Sequence, residues 1–191
     1  MIHKFNPINK KKLDNEWRRE NLPPVETLEK LGLKASDTFA DIGCGIGYFT
    51  IPAAQMIGNN SAYALDTSPE MLAEVELRST AAGVKNIETV KTEELDLLIP
   101  DESVSFGLMV NVIHEIVDKN QFLEEISRII KPGGKLAVID WEKQAMEMGP
   151  PIDHRISGDE VKTLLKEIGF ECQETMNIAK AFYGLVFVKN N

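Results

Sequence analysis

Three glycines within five residues, in the segment DIGCGIGYFT (41–50), constrain the fold of this chain more than any other feature. The apolar run TFADIG leads into them and a stretch of helical character follows, which predicts a buried strand, a tight loop and a helix in succession. Glycine loses more backbone freedom on folding than any other residue. Three of them at this spacing therefore indicate a loop whose backbone comes very close to something else.

Segments of strand character alternate with segments of helical character along most of the chain. Such alternation predicts a parallel sheet with helices on both faces. Residues 170–189 hold two strand candidates with no room for a crossover helix between them, which predicts a hairpin and an antiparallel last strand. The other predicted strands are 38–42, 61–66, 86–91, 104–113 and 135–141, and the predicted helices are 25–33, 48–58, 68–83, 118–131 and 157–169.

Composition narrows the possible partners and the compartment. Residues 1–24 are polar and end in LPP, which predicts an extended arm or lid before a single domain of residues 25–191. The formal net charge of −9 argues against a nucleic acid or an anionic membrane surface as the main partner. The two cysteines, Cys44 and Cys172, form no zinc-binding pattern, and no long apolar run or signal peptide is present. We therefore predict a cytoplasmic protein without a metal site.

The residues in and around the glycine loop indicate which kind of nucleotide ligand it can bind. A dinucleotide loop needs a third glycine where this chain has Tyr48, and a phosphate loop needs a Lys-Ser/Thr pair that does not follow. Asp41 would repel a phosphate and favours a cation instead. Asp66 ends the next predicted strand, the place from which a carboxylate binds ribose hydroxyls. A ligand with a ribose and a positive charge but no phosphate, such as S-adenosylmethionine, fits both carboxylates.

With these motifs the sequence resembles the class I S-adenosylmethionine-dependent methyltransferases over roughly residues 25–190. The matching segments are DIGCGIGYFT, ALDTSPEML, VKTEELDLLIPDESVSFGLM, VIHEI and RIIKPGGKLAVIDW. The resemblance is strongest to the small-molecule group that includes the ubiquinone- and menaquinone-biosynthesis enzymes. It implies an α/β, Rossmann-like three-layer sandwich with a seven-stranded, mostly parallel sheet, S-adenosylmethionine as cofactor and a small-molecule methyl acceptor, and it leaves the oligomeric state open.

The resemblance also implies the cofactor-binding residues by position. The glycines approach the methionine part and the ribose, Asp41 lies near the ammonium group, and Asp66 binds the ribose hydroxyls. Core packing for Met71 and a helix N-terminal charge for Asp66 are the alternatives. The implied cofactor-binding residues are Asp41, Gly43, Gly45, Gly47, Asp66, Thr67, Met71, Glu93, Val110 and Asn111.

Candidate catalytic residues follow the fourth and fifth predicted strands. His114 is a candidate base, with helix capping or packing as its alternative. His154 and Arg155 lie in the loop GPPIDHRIS, where Arg155 would bind an anionic acceptor through its planar fork. The alternatives are an exposed loop histidine and a surface ion pair of Arg155 with Asp153 or Asp159.

Two rival functions stay open from the sequence. A catalytically inactive chain could bind S-adenosylmethionine as a regulator or partner subunit, because a fold does not fix a function. An oxidoreductase that uses NAD is disfavoured by Tyr48 in the glycine loop. Two cysteines also argue against an arsenite-methylating enzyme, which needs several thiols.

Overall fold

The computed structural model describes residues 13–191, so residues 1–12 of the predicted arm lie outside it. Its seven strands are β1 (Phe39–Ile42), β2 (Ala62–Asp66), β3 (Ile87–Lys91), β4 (Val104–Val110), β5 (Ile130–Trp141), β6 (Phe170–Ala179) and β7 (Phe182–Lys189). They form one sheet in the order β3-β2-β1-β4-β5-β7-β6. Strand β7 lies between β5 and β6 and is antiparallel to both, and the other pairs are parallel. The predicted fold class and the predicted hairpin are confirmed.

Helices cover both faces of this sheet. They are α1 (Glu16–Asn21), α2 (Pro24–Lys30), α3 (Thr50–Met56), α4 (Pro69–Ala82), α5 (Lys119–Ile129) and α6 (Gly158–Glu167). Successive strand residues point to opposite faces. In β5, Val138 accordingly packs in a cluster with α5 and α6, and Ile139 packs in a cluster with α2 and α3. None of the helices within residues 13–191 has both the length and the apolar character to cross a membrane.

Side-chain caps fix two of the helix starts that border the carboxyl edge of the sheet. The Ser68 hydroxyl accepts the Met71 N–H at 3.3 Å, and Pro69 is the first residue of α4. Ser157 and Glu160 form the predicted capping box at the start of α6. Each cap contributes about 1 kcal/mol. The loops after β2 and β5 therefore end at defined points.

The extended conformation predicted for the segment before residue 25 is wrong for residues 16–21, which form α1. Asn15 caps this helix by accepting the Arg18 N–H at 2.8 Å. Leu22 is completely buried, and its carbonyl accepts the Tyr48 hydroxyl at 2.9 Å. This helix could not be predicted from the sequence, because it has no apolar stripe of its own. The Asn15 cap and the buried Leu22 hold it in place.

The boundary between α5 and β5 also differs from the prediction. The helix ends at Ile129, and β5 begins directly at Ile130. The pairing of β5 with β4 shifts register over the KPGG segment. Gly133 has a φ of 72°, and a side chain at Gly134 would place Cβ 2.8 Å from a main-chain oxygen. The two glycines therefore form an irregularity within β5 and not a turn in front of it.

Candidate active site

The glycine loop follows β1 at the carboxyl edge of the sheet. Gly43, Gly45 and Gly47 have φ values of 73°, 53° and 77°, in the left-handed region that other residues avoid. A side chain at Gly43 would place Cβ 2.5 Å from Cγ2 of Val112, which follows β4. At Gly47 it would lie 3.2 Å from Cγ2 of Val75 on α4. At Gly45 it would lie 3.1 Å from Cδ1 of Leu13, so all three glycines permit a close approach of the loop to other parts of the chain.

Gly43→Ala should lower the free energy of unfolding more than the same change at Gly58. A left-handed alanine costs about 1–2 kcal/mol at either site. Crowding against Val112 adds about 1–3 kcal/mol at Gly43. Gly58 is the matched control, because its φ is 64° and no atom lies within 4 Å of the added Cβ. Urea denaturation measures both variants, and equal losses would contradict the crowding.

A cavity of about 850 Å³ opens at the carboxyl edge of the sheet, beside the glycine loop. It is lined by residues that end or follow β1, β2, β3, β4 and β5. The predicted cofactor-binding residues in its lining are Gly43, Gly45, Asp66, Thr67, Met71, Glu93, Val110 and Asn111. Asp41 and Gly47 support the loop without being part of the lining.

Asp66, the last residue of β2, joins the glycine loop to the start of α4. Its Oδ2 accepts the N–H of Gly45 at 2.9 Å, and its Oδ1 accepts the N–H of Ser68 at 2.9 Å. Burial raises the pKa of this carboxyl, and the two N–H donors oppose that rise. Each carboxylate oxygen has two acceptor sites. Asp66 can therefore hold the loop in place and still accept hydrogen bonds from a ligand.

Asp41 lies buried beneath the loop. Its Oδ2 accepts the hydroxyl of Thr50, at the start of α3, at 2.6 Å. The pKa of Asp41 is raised to about 7, because burial and the negative charge of Asp66 raise it by more than the Thr50 hydrogen bond lowers it. Asp41 does not line the cavity and so makes no direct contact with a ligand there, and its predicted place near the ammonium group of the cofactor stays a prediction.

Asp41→Asn should remove a loss of stability that the wild type undergoes as the pH rises from about 4 to about 7. The native state keeps a proton on Asp41 up to about pH 7, whereas the unfolded chain loses it above the ordinary pKa of 3.8. The contribution of Asp41 to the free energy of unfolding therefore falls between these two pH values and is constant above them. Asparagine still accepts the Thr50 bond but does not titrate.

The free energy of unfolding of Asp41→Asn, minus that of the wild type, should consequently rise as the pH increases through this window. Urea denaturation at a series of pH values gives the difference. Parallel profiles for the two proteins would contradict the raised pKa.

Two buried polar atoms of cavity-lining residues have no hydrogen-bond partner within the described residues. They are Nε of Arg18, a donor, and Oδ1 of Asn111, an acceptor. Arg18 belongs to α1 and lies 5.0 Å from the centre of the Tyr48 ring. Asn111 has a φ of 60°, uncommon for a residue other than glycine. Buried polar groups are nearly always satisfied. These two atoms therefore indicate a ligand that accepts near Arg18 and donates near Asn111.

His114 and Asp140 form a buried pair after β4 and at the end of β5. Nδ1 of His114 lies 2.8 Å and 3.0 Å from the two carboxylate oxygens of Asp140. Because an ionised carboxylate only accepts, Nδ1 carries the proton and Nε2 keeps its lone pair in the neutral ring. Burial lowers the pKa of His114, but the hydrogen bond and charge of Asp140 outweigh it, and the net shift is upward. His114 lines the cavity, and Asp140 fixes the orientation of its ring.

Arg155 does not have the contacts predicted for an acceptor-binding residue. It is 4% exposed, and four of its five N–H groups donate to the chain itself. Asp153 and Asp159 face other partners, His154 and Lys162, so the alternative of a surface ion pair is wrong as well. We therefore do not retain Arg155 as an acceptor-binding residue. Its guanidinium donates, at 2.8–3.0 Å, to the main-chain carbonyls of Glu142, Gln144, Met148 and Pro150.

A second cavity, of about 610 Å³, shares His114 with the first. His154 and Arg155 line this second cavity and are absent from the lining of the first. Nε2 of His154 lies 3.9 Å from Asp153. The structure thus brings His114, but not His154, to the cavity of the glycine loop, and a catalytic role for His154 stays a prediction.

Known proteins share this arrangement of sheet and loop. A sequence profile of the family described as "Methyltransferase domain" matches residues 40–138. A solved structure described as a SAM-dependent methyltransferase from Aquifex aeolicus is 34% identical, with a TM-score of 0.91 over 97% of this chain and 99% of that chain. This chain belongs to the class I S-adenosylmethionine-dependent methyltransferases. The cofactor of the family is S-adenosylmethionine.

Curated members of the family match a shorter part of the chain. A demethylmenaquinone methyltransferase from Listeria monocytogenes is 29% identical over 138 residues, which is 72% of this chain and 56% of the relative. An arsenite methyltransferase from Halobacterium salinarum is 28% identical in an alignment of 149 positions that covers 72% of this chain and 38% of the relative. The chain spans about half the length of the first relative and less of the second.

The residues of this methyltransferase fit the family cofactor. S-adenosylmethionine ends in an α-amino acid, whose carboxylate accepts and whose ammonium donates. Those groups match the partnerless Nε of Arg18 and Oδ1 of Asn111. The ribose hydroxyls match the remaining acceptor sites of Asp66. The fit therefore rests on atoms that lack or can add a partner within the described chain.

Arg18 and Asp140 are site residues that were not predicted from the sequence. A signal for Asp140 existed, because β4 and β5 are neighbours and an acid at the end of one strand lies beside a histidine after the other. Arg18 has no comparable signal. Arg18 lies in a polar segment, and its position at the cavity becomes evident only from the placement of α1 in the structure.

Proposed function

We propose that this protein transfers a methyl group from S-adenosylmethionine to a small-molecule acceptor that loses a proton to His114. One observation carries the proposal: the base of the buried His114–Asp140 pair lines the same cavity as the glycine loop and Asp66. A general base must be held within reach of the acceptor proton, and the Asp140 carboxylate holds the His114 ring at this cavity. This favours an enzyme over the alternative of an inactive regulator or partner subunit.

Each part of the site has a separate task. When bound, S-adenosylmethionine supplies an electrophilic methyl group on a sulfonium. Asp66 and the glycine loop hold the nucleoside, and Arg18 and Asn111 hold the amino-acid end. His114 takes the acceptor proton at Nε2, and Asp140 keeps the imidazole in the tautomer that makes Nε2 basic. Holding both reactants in one geometry supplies much of the rate enhancement.

The chemical class of the acceptor is the second part of the proposal. The demethylmenaquinone methyltransferases support a small-molecule acceptor, and the net charge of −9 weighs against nucleic acid. An arsenite acceptor is not supported, since the chain has two cysteines and burial raises the pKa of the Cys44 thiol well above its usual range. A cytoplasmic location stays a prediction from the sequence.

Parallel calorimetric titrations with S-adenosylmethionine and NAD test the cofactor half of the proposal. We expect saturable binding of the first and none of the second, because Tyr48 replaces the glycine that a dinucleotide needs. Release of S-adenosylhomocysteine on addition of a small-molecule extract then tests turnover. Tight binding of NAD would contradict the proposal.

A further inference from the structure

The loop after β5, residues 142–151, is held by a single buried cation. Arg155 is almost completely buried, and a buried charge is costly unless it is hydrogen-bonded. Its Nε donates to the Pro150 carbonyl at 2.8 Å, and its two terminal nitrogens donate to three further carbonyls of the loop at 2.8–3.0 Å. Four carbonyls spread over nine residues therefore converge on one guanidinium.

Arg155 is itself anchored to the rigid part of the fold. The neighbouring Ile156 accepts the Tyr183 hydroxyl of β7 at 3.2 Å through its carbonyl. Ser157, the next residue, begins α6 through its capping box. The sheet and α6 thus fix Arg155, and Arg155 fixes the loop.

The loop packs closely against the ring of Trp141 at the cavity. Gly149 has a φ of 88°, and a Cβ there would lie 2.8 Å from atoms of the Trp141 ring. The Trp141 ring stacks on Trp17 with centroids 5.9 Å apart and lies 4.4 Å from the Phe182 centroid. The Arg155 guanidinium lies 5.7 Å from the Trp141 centroid. Loop, indole and guanidinium therefore form one packed unit.

This packing gives the loop two different sides. Its carbonyls turn toward Arg155, and the groups it adds to the cavity wall are mainly apolar. They are Met148, Gly149, Pro150 and Pro151, with Glu147 as a charged exception, next to the rings of Trp141 and Phe182. An apolar part of a ligand is the chemistry that such a wall accommodates.

We propose that Arg155 is a positioning residue that shapes the loop 142–151 into an apolar wall for the methyl acceptor. Resting on the proposed function, this inference specifies its acceptor: a compound with an apolar body and an ionisable group that reaches His114. Arg155 touches the loop and not the acceptor. Its loss should weaken acceptor binding and leave cofactor binding intact.

Three variants test the proposal. Arg155→Ala removes the guanidinium, and Arg155→Lys offers three donors on one atom, which cannot reach four spread carbonyls. Gly149→Ala leaves Arg155 in place but pushes the loop off the Trp141 ring. Arg128→Ala is the matched control, because Arg128 also makes four side-chain hydrogen bonds but lines neither cavity.

The probe is 1-naphthol, an apolar ring with an ionisable hydroxyl. Its binding is followed by tryptophan fluorescence, since Trp17 and Trp141 are the two tryptophans of the chain. We expect all three test variants to bind it at least about tenfold more weakly, a loss of about 1.4 kcal/mol, with the S-adenosylmethionine Kd unchanged. Backbone amides of residues 142–149 should exchange faster with deuterium in both Arg155 variants. Millimolar guanidinium should restore probe binding to Arg155→Ala.

The proposal would be overturned if the Arg155 variants bound 1-naphthol as tightly as the wild type and kept the same amide protection. It would also be overturned if the wild type did not bind 1-naphthol. An equal loss in Arg128→Ala would also overturn it, because the effect would then be general. Should Arg155→Ala fail to fold, Arg155→Lys and Gly149→Ala carry the test. A failure of the proposed function would give a different result. The wild type would then bind no S-adenosylmethionine, regardless of the 1-naphthol affinity and the amide exchange of the loop.

Discussion

Asp66→Ala should weaken S-adenosylmethionine binding by at least about tenfold. The variant removes the carboxylate that we propose accepts both ribose hydroxyls, and hydrogen bonds to a charged group contribute about 1.5–3 kcal/mol each. It also frees the N–H groups of Gly45 and Ser68, which Asp66 holds at 2.9 Å. The loop that faces the cofactor therefore loses its tie to α4 as well. Isothermal titration calorimetry measures the affinity.

Two further variants distinguish the effect of the Asp66 charge on cofactor affinity from a general effect on the fold. Asp66→Asn keeps an acceptor oxygen but removes the charge, so its loss of affinity should be smaller than that of alanine. Asp101→Ala is the surface control, since this carboxylate is exposed and pairs with Arg128 outside the cavity. Unchanged cofactor affinity in a folded Asp66→Ala protein would mean that the ribose is held elsewhere.

His114→Gln should lower kcat by about 10²–10⁴-fold while the cofactor Kd stays the same. The variant removes the base at Nε2 but keeps a side chain that can donate to Asp140. Turnover of the wild type should rise with pH as His114 loses its proton, with a midpoint above 6.5 because the net shift of its pKa is upward. That rise should be missing in the variant.

Asp140→Asn provides the partner test. It no longer accepts as a carboxylate, so the imidazole loses the group that fixes its tautomer and raises its pKa. Turnover should fall, and the midpoint of any remaining pH dependence should move down. A pH rise that persists unchanged in His114→Gln would contradict the role of His114 as the base.

Local signals in the sequence were enough to predict the fold and the glycine loop. Strand and helix periodicity, caps such as Ser68, and the crossover-free segment 170–189 each act over a few residues, and each is confirmed. The position of Asp66 followed from the same reasoning, because the carboxyl ends of parallel strands meet at one edge.

Contacts between distant segments, and contacts to the main chain, could not be predicted in this way. His114 and Asp140 are 26 residues apart and meet only because β4 pairs with β5. Arg155 was expected to bind an anion, but its partners are carbonyls, which every residue carries and which leave no mark in a sequence. Arg18 reaches the cavity from a short helix that has no periodicity to reveal it.

Transfer of a labelled methyl group tests the central claim most directly. Wild-type protein and Asp66→Ala are incubated with methyl-labelled S-adenosylmethionine and a cell extract, which is then separated into small molecules, protein and nucleic acid. We predict that the wild type labels the small-molecule fraction and that Asp66→Ala does not at the same cofactor concentration. Cofactor binding by the wild type without label in any fraction, or label confined to protein or nucleic acid, would contradict the claim.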